Sequence, residues 1–374
     1  MTSNLTAGIV TFHRSWNYGA CLQAFATIDV LKTLGVEAVC IDYSNAVERQ
    51  KTAMEFAKSR QVKAAFVTGA KNVVLGRRRY SEKAFRGFHS LITRTDHSYA
   101  TCEDLKDISF DVLVSGSDQI WNPVITGGLD EVFFLNFGRA SKRIALASSG
   151  GSHNFTSEEL VKIKPWLSKY QFIGVREEHL YKQLKSVVSV PVKTLLDPTL
   201  LMNVEAWRAL ERRPKNAPAN TPYILVFTLK SNSKEDELFW RRCGYSLKLP
   251  VWRVLNNAFP MHGLDKVFLG ATPEELLWLI DHARFVITDS FHGTAFSLNF
   301  GVPFVTLPSK TGNNERVANL LRFAGVPDRQ IGYNDDIVFE YNANAAQIKL
   351  HQKRESDLAS IAVVLGKDNA NGKH

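Results

Sequence analysis

Apolar residues run together from Ala7 to Phe12 and stop at a polar, glycine-containing loop, His13 to Gly19. From Ala20 to Leu34 they recur at helical spacing, at Leu22, Phe25, Ala26, Ile28 and Leu31, and Gly35 closes that helix. Val36 to Tyr43 reads as a second strand. Strand, loop, helix, glycine, strand is a βαβ unit, and its first loop lies where open α/β sheets place ligands. Further strands are predicted at Asp111 to Ser115, Arg143 to Ser148, Phe172 to Val175 and Val192 to Leu196, the last closed by Asp197-Pro198.

The second half repeats the style. Strands are predicted at Tyr223 to Leu229, Pro250 to Val254, Lys266 to Phe268, Arg284 to Thr288 and Val302 to Leu307. Thr272-Pro273-Glu274-Glu275 has the N-cap, proline and acids of a helix start. Thr294 to Phe300 is a short helix after a turn at Asp289 to Gly293, and Glu315 to Ala324 and Ala345 to Leu365 are helical. Pro214, Pro218 and Pro222 cluster near a junction placed at 198–218. The predicted fold class is α/β, with two Rossmann-like domains facing a cleft. The expected parts are 1–205, 206–344, and a C-terminal helix and tail, 345–374, that packs back on the first domain.

Residues 45–95 break the pattern. Lys and Arg dominate there, with acids only at 48, 55 and 82, and Phe56, Phe66, Phe85 and Phe88 are interleaved. This predicts basic helices inserted in the first domain. They either dock on an anionic membrane face or pack an apolar side inward with their charges merely wet.

Length and composition fit this plan. With 374 residues and 45% hydrophobic content the chain suits two globular domains, and its net charge of +9 favours anionic partners. The four cysteines include no CxxC pair, so no metal or redox motif is expected. The first residues, Met1 to Thr6, lack the features of a signal peptide, and no apolar run is long enough to span a membrane. A cytoplasmic protein with at most peripheral membrane contact is expected. No nucleic-acid module surrounds the basic stretch, so no nucleic acid is expected as partner.

Neither a dinucleotide fingerprint nor a phosphate loop follows the first strand. Three strand-end loops carry candidate chemistry instead. In Thr288-Asp289-Ser290-Phe291-His292-Gly293-Thr294 the helix start suits a phosphate or carboxylate, and His292 can exchange a proton near neutral pH. A histidine in such a turn is also commonly structural. Gly116-Ser117-Asp118-Gln119, followed by Trp121-Asn122, makes a polar rim suited to sugar hydroxyls, or a cap turn with Asp118 capping its own helix. Asn17-Tyr18-Gly19 reads a ligand or caps a helix. Asn314 and Arg316 follow the last strand, Arg316 being able to fork onto a carboxylate or phosphate, and Lys230 ends the second domain's first strand. Arg176-Glu177-Glu178 reads as a cap or surface pair.

With Asn17-Tyr18-Gly19-Ala20, Gly116-Ser117-Asp118-Gln119, Leu196-Asp197-Pro198-Thr199 and Asp289-Ser290-Phe291-His292-Gly293-Thr294 in this order, the chain resembles the polysaccharide pyruvyltransferase family. The resemblance covers most of the length. It implies a fold similar to that of B-type glycosyltransferases, with phosphoenolpyruvate as donor and a sugar diol, in a glycan or a polyprenyl-linked precursor, as acceptor. No metal or other cofactor is implied. His292 matches the family's general acid. Ser290 stands where a better-studied branch has a donor-binding arginine, so Arg316 or Lys230 would supply that charge beside Gly293, Thr294 and Asn314. Asp118 or another cleft carboxylate would take the acceptor's proton, with Asn17, Tyr18, Ser117 and Gln119 around the acceptor. The competing expectations are a nucleotide-sugar glycosyltransferase and an inactive glycan- or lipid-binding relative.

Overall fold

The protein is described by a computed structural model covering residues 5–50, 83–218, 220–229, 233–255, 264–309 and 314–367. It divides into two compact units: Met1–Ala64, Ser90–Met202 and Lys353–His374 form the first, and Ala65–His89 with Asn203–Gln352 the second.

The first unit is built on a seven-stranded parallel sheet. Its strands are β1 (Leu5–Val10), β2 (Val36–Tyr43), β3 (Arg94–Tyr99), β4 (Ser109–Ser115), β5 (Arg139–Ser148), β6 (Phe172–Val175) and β7 (Val192–Thr194), in the order β3-β2-β1-β4-β5-β6-β7. Helix α1 (Tyr18–Thr33) joins β1 to β2; α2 (Pro123–Thr126), α3 (Ser157–Leu167), α4 (Glu178–Lys185) and α5 (Pro198–Leu201) follow. The central strands are apolar on both faces because both are covered: Ile9, Val112, Val114, Ile144 and Ile173 are all inaccessible or nearly so. A core of Trp121, Phe133, Phe134, Phe155 and Tyr170 packs beside them, with Trp121 stacked on Phe134 at 5.1 Å.

The second unit holds five parallel strands: β8 (Ile224–Phe227), β9 (Val251–Leu255), β10 (Lys266–Leu269), β11 (Phe285–Thr288) and β12 (Phe304–Thr306), ordered β10-β9-β8-β11-β12. Its helices are α6 (Val204–Leu210), α7 (Lys234–Leu247), α8 (Pro273–Asp281), α9 (Phe291–Phe300) and α10 (Asn314–Ala324). Thr272 and Glu275 form a capping box at the start of α8, with Pro273 inside it. The last helix, α11 (Ala343–Leu365), starts in the second unit and ends in the first. There the Asp357 carboxylate accepts from Leu196 N at 2.9 Å, and Lys142 Nζ donates to Val364 O at 2.7 Å.

Three local readings change. Residues 94–99, of which 94 and 95 were taken into the basic insertion and the rest given no element, form edge strand β3, whose mostly exposed Arg-Thr-Asp-His-Ser-Tyr sequence carries no apolar signal. Helix α9 begins at Phe291, not Thr294, because Ser290 caps it. Of the basic stretch, 83–89 is helical with Phe85 and Phe88 buried and Lys83 and Arg86 exposed, while residues 51–82 lie outside the described residues.

Candidate active site

Both sheets change direction at their first strand. In the first unit the chain builds outward from β1 to β2 and β3, then returns to place β4 on the other side of β1. In the second it does the same at β8 and β11. At such a switch point the loops leaving the two neighbouring strands diverge and open a crevice at the C-terminal edge. The loops predicted to carry chemistry are those after β1, β4 and β11.

In the first unit, Gly116 opens the β4 loop at φ +114, where an added Cβ would come within 2.4 Å of Leu146 O. Asp118 follows at φ 76, in the left-handed region that non-glycine residues seldom adopt. Asn122, not Asp118, caps the following helix α2. Asp118 Oδ1 instead accepts from Gln119 N at 2.8 Å and lies 3.5 Å from Arg176 Nη2. Arg176 Nη1 is 2.5 Å from Asp197 Oδ2, and Thr199 supplies two donors to Asp197 Oδ1, at 3.0 and 2.7 Å. Ser117 Oγ lies 3.1 Å from Asp197 Oδ2 and 3.0 Å from Ala147 O. Burial opposes the charge of Arg176, but the carboxylates of Asp197, Glu177 and Asp118 together hold its pKa above the usual value. Within this group the Asp118 side chain reaches solvent, 14% exposed, against 3% for Arg176 and none for Asp197.

The β1 loop is tied to the β4 loop by Thr11, whose hydroxyl donates to Ser117 O at 2.8 Å and accepts from Gln23 Nε2 at 2.9 Å. Asn17 is exposed and caps α1, its Oδ1 accepting from Gly19 N and Ala20 N. Tyr18 is buried in the first turn. Gln119 Oε1 accepts from Asn122 Nδ2 at 3.1 Å and fills the space a Cβ on Gly151 would need. Buried His13 lies between Thr11 O, 3.0 Å from Nδ1, and Asp42 Oδ1, 2.8 Å from Nε2, and Arg14 forks onto the same carboxylate.

In the second unit, Thr288 at the end of β11 donates to Phe227 O at 2.6 Å and accepts from Ser290 N at 3.0 Å. Asp289 Oδ1 accepts from Leu229 N at 2.7 Å, joining the β8 and β11 loops. Ser290 Oγ accepts from Gly293 N at 3.3 Å. The Gly293 Cα packs against β11, and an added Cβ would lie 2.3 Å from Thr288 Oγ1. Thr294 is wholly buried, its hydroxyl 3.0 Å from both Ser290 O and Thr306 Oγ1. Asn314 exchanges two hydrogen bonds with the backbone of Ser309. His292 is half-buried in the first turn of α9. Its ring stands perpendicular to Phe291 at 5.3 Å, and the Arg316 guanidinium lies 5.4 Å from the same Phe291 ring. The structure thus gathers Ser290, His292 and Arg316 about Phe291, and commits Gly293, Thr294 and Asn314 to holding the loops. Lys230 lies outside the described residues.

The model of the polysaccharide pyruvyl transferase family matches residues 17–311. The chain belongs to that family. The matched span takes in the β4 and β11 loops, with Asp118 and His292, but begins after β1 and ends before Asn314 and Arg316. As a member, the protein is a transferase whose acceptor is a sugar or polysaccharide. No curated protein matches the chain.

Among solved structures it is similar to a Thermobaculum terrenum O-GlcNAc transferase mutant (14% identity, 97% of this chain and 66% of that one, TM-score 0.42). It is also similar to Neisseria meningitidis UDP-GlcNAc 2-epimerase bound to UDP-GlcNAc (10%, 97% and 100%, 0.47), and to Arabidopsis thaliana UGT89C1 complexed with UDP-L-rhamnose (10%, 98% and 93%, 0.46). Likenesses this loose carry no argument about what this family member binds.

The sequence reading missed three features. Arg176, taken as a cap or surface pair, is a buried ion-pair centre. Arg253 sits inside β9, 1% exposed, with Nη2 donating to Thr228 Oγ1 at 3.0 Å and its guanidinium 4.6 Å from the Trp240 ring. Burial pushes its pKa down to about 10, against the nearby carboxylates of Asp236, Asp289 and Glu237. The signal was an arginine inside the apolar run Val251-Trp252-Arg253-Val254-Leu255. The third is a set of potential metal ligands, Glu211, Asp281 and His282, where the sequence showed none. Glu211 caps the end of α6, while Asp281 closes α8 and His282 follows it, before β11 and so at the opposite edge of the sheet from His292; Arg208 already forks onto Asp281 at 2.9 and 3.0 Å.

Among the described residues no helix is long and apolar enough to cross a membrane.

Proposed function

We propose that this transferase moves the pyruvyl group of phosphoenolpyruvate onto two hydroxyls of one sugar, in a surface polysaccharide or its lipid-linked precursor, forming a ketal and releasing phosphate. The observation that carries this reading is the placing of His292: a partly buried imidazole in the first turn of α9, at the end of a switch-point strand, inside the span matched by the family.

Phosphoenolpyruvate is an enol phosphate, so protonating its methylene carbon makes the central carbon open to attack. His292 gives that proton. A first sugar hydroxyl adds to the central carbon and loses its proton to a base, for which Asp118 is the proposed group. The bond from that carbon to the phosphate oxygen then breaks, phosphate leaves, and the second hydroxyl adds to close the ketal. One hydroxyl proton in effect ends on the new methyl group and the other leaves with phosphate, so no redox partner is needed. Arg316 is the proposed partner for the donor's carboxylate or phosphate, supported by its place beside Phe291. Gln119 and Asn17 are the proposed acceptor contacts, being the more open of the residues on those loops.

The test is phosphate release from phosphoenolpyruvate with a panel of β-galactosides, N-acetylhexosamines and lipid-linked acceptors. Acceptor-dependent release that falls about 10²-fold or more in His292→Ala, with the fold intact, supports the reading. Near-normal turnover in that variant removes His292 from the acid role. Silence across the panel, with no thermal shift from phosphoenolpyruvate, overturns the donor.

A further inference from the structure

Helix α7 has two unlike sides. Asp236, Phe239, Trp240 and Cys243 turn inward and are buried. The outward side carries Lys234, Leu238, Arg241, Tyr245 and Lys248, at alternating spacings of four and three, which lays them along one stripe. The two large apolar members stand well clear of the core, Leu238 at 68% and Tyr245 at 81% exposure. One exposed leucine needs no explanation. Two such side chains, two turns apart and bracketed by three cations, make a pattern.

Lys248 adds a second, independent feature. It ends the helix at φ 53, ψ 42, in the left-handed conformation where glycine or asparagine is customary. A cation is kept where the backbone would favour a residue without a Cβ. Beside the stripe is a shallow hollow framed by Arg241, Tyr245, Lys248, Pro250 and Leu264; the acid on its wall, Asp265, is engaged by Val251 N at 2.7 Å. The stripe itself carries no acid. Two acids flank it, Glu235 on one side and Glu237, four residues before Arg241, on the other; both belong to the first turn, where a carboxylate complements the helix dipole, and the three cations of the stripe with Arg242 beside them outnumber the pair.

We propose that this face of α7 is a docking surface for an anionic lipid bilayer. Leucine and tyrosine enter the boundary between headgroups and acyl chains, while the lysines and the arginine lay their stems along it and reach lipid phosphates with their charged ends. Charge complementarity selects this occupant. The chain carries a net +9, and pairing the stripe with a second copy would set its cations against cations. The surface is separate from the residues proposed for pyruvyl transfer, so it can fail without that reading failing.

Co-sedimentation with phosphatidylcholine vesicles containing about 30 mol% phosphatidylglycerol, at low salt, tests it. Wild-type protein should pellet with these vesicles, remain in solution with pure phosphatidylcholine, and be released by salt. At about fivefold per cation, the double variant Arg241→Glu/Lys248→Glu should bind at least twentyfold more weakly. Leu238→Ser/Tyr245→Ser should also weaken binding without changing charge. All four positions are solvent-facing, so both variants should melt like the wild type and turn over a soluble acceptor equally well. The proposal is overturned if the wild type ignores anionic vesicles, or if either variant binds them as the wild type does. It is also overturned if the Leu238→Ser/Tyr245→Ser change abolishes self-association or nucleic-acid binding and leaves vesicle binding intact.

Discussion

Arg176 and Asp197 meet at 2.5 Å with side chains almost wholly out of water, and that pair anchors the β4 loop through Ser117 and Asp118. A buried pair of this kind adds little net stability compared with apolar residues, but removing one partner strands the other's charge. Arg176→Met should therefore destabilise the protein by about 3–5 kcal/mol in denaturant unfolding. Arg176→Lys should rescue only part of that, since a single ammonium cannot reach both Asp197 and Asp118 as the guanidinium fork does. A loss below about 1 kcal/mol would mean the pair is not the loop's anchor.

Gly293 was expected to bind the donor, and its surroundings assign it to packing. A Cβ there would stand 2.3 Å from Thr288 Oγ1 and 3.0 Å from Phe227, pushing α9 off the end of β11. Gly293→Ala should cost about 1–3 kcal/mol of stability. Thermal melts should fall first, and donor affinity should change only as far as His292 is displaced. An unchanged melting temperature with lost donor binding would restore the ligand role.

Much of this architecture was readable because parallel strands covered on both faces announce themselves as unbroken apolar runs. Ile224–Phe227 and Phe285–Thr288 are four residues each and wholly buried. Edge strand β3 has no covered face to demand apolar residues, and it went unread as a strand, its first two residues falling in the basic insertion. The loops were legible because each follows a strand. What each residue in them does was not, because small and hydroxyl residues serve both to cradle an anion and to let a helix approach a sheet. Ser290, Gly293 and Thr294 carry hydrogen bonds of the second kind. Arg176 was misread because a chain pattern does not tell which way the residue after a strand will turn, or that Asp118 and Asp197 will converge on it.

Asp42 makes the stability of the first unit sensitive to acid. Burial pushes its pKa up, but hydrogen bonds from His13, Arg14 and Ser98 outweigh this and hold it well below the usual carboxylate range. A group with a depressed folded pKa contributes its full stabilisation above its unfolded value, about 3.9, and loses it as the pH falls further. Asp42→Asn should thus lower stability by about 1–3 kcal/mol at pH 7. The gap to wild type should close progressively below about pH 4. A gap that stays constant down to pH 2 would show that the charge of Asp42 is not what holds the β1 loop.

Glu211 works in the opposite direction. Burial, followed by the charge of Asp281, pushes its carboxyl up to about 8, with Arg208 opposing the shift. Between the unfolded value of about 4.3 and this raised value, the folded protein keeps a proton that the unfolded chain has released, so stability falls as the pH rises through that window. Glu211→Gln keeps the shape and removes the titration. It should therefore melt higher than wild type at pH 8 and equally near pH 4, with the difference growing steadily between. The Arg208 fork onto Asp281 survives the change, so the gain comes from Glu211 alone. If a divalent cation used Glu211, Asp281 and His282, the result would reverse: added zinc would raise the wild-type melting temperature at pH 8, and Glu211→Gln would abolish that rise. The arginine already seated on Asp281 argues for the first outcome, since a cation there would face the guanidinium at close range.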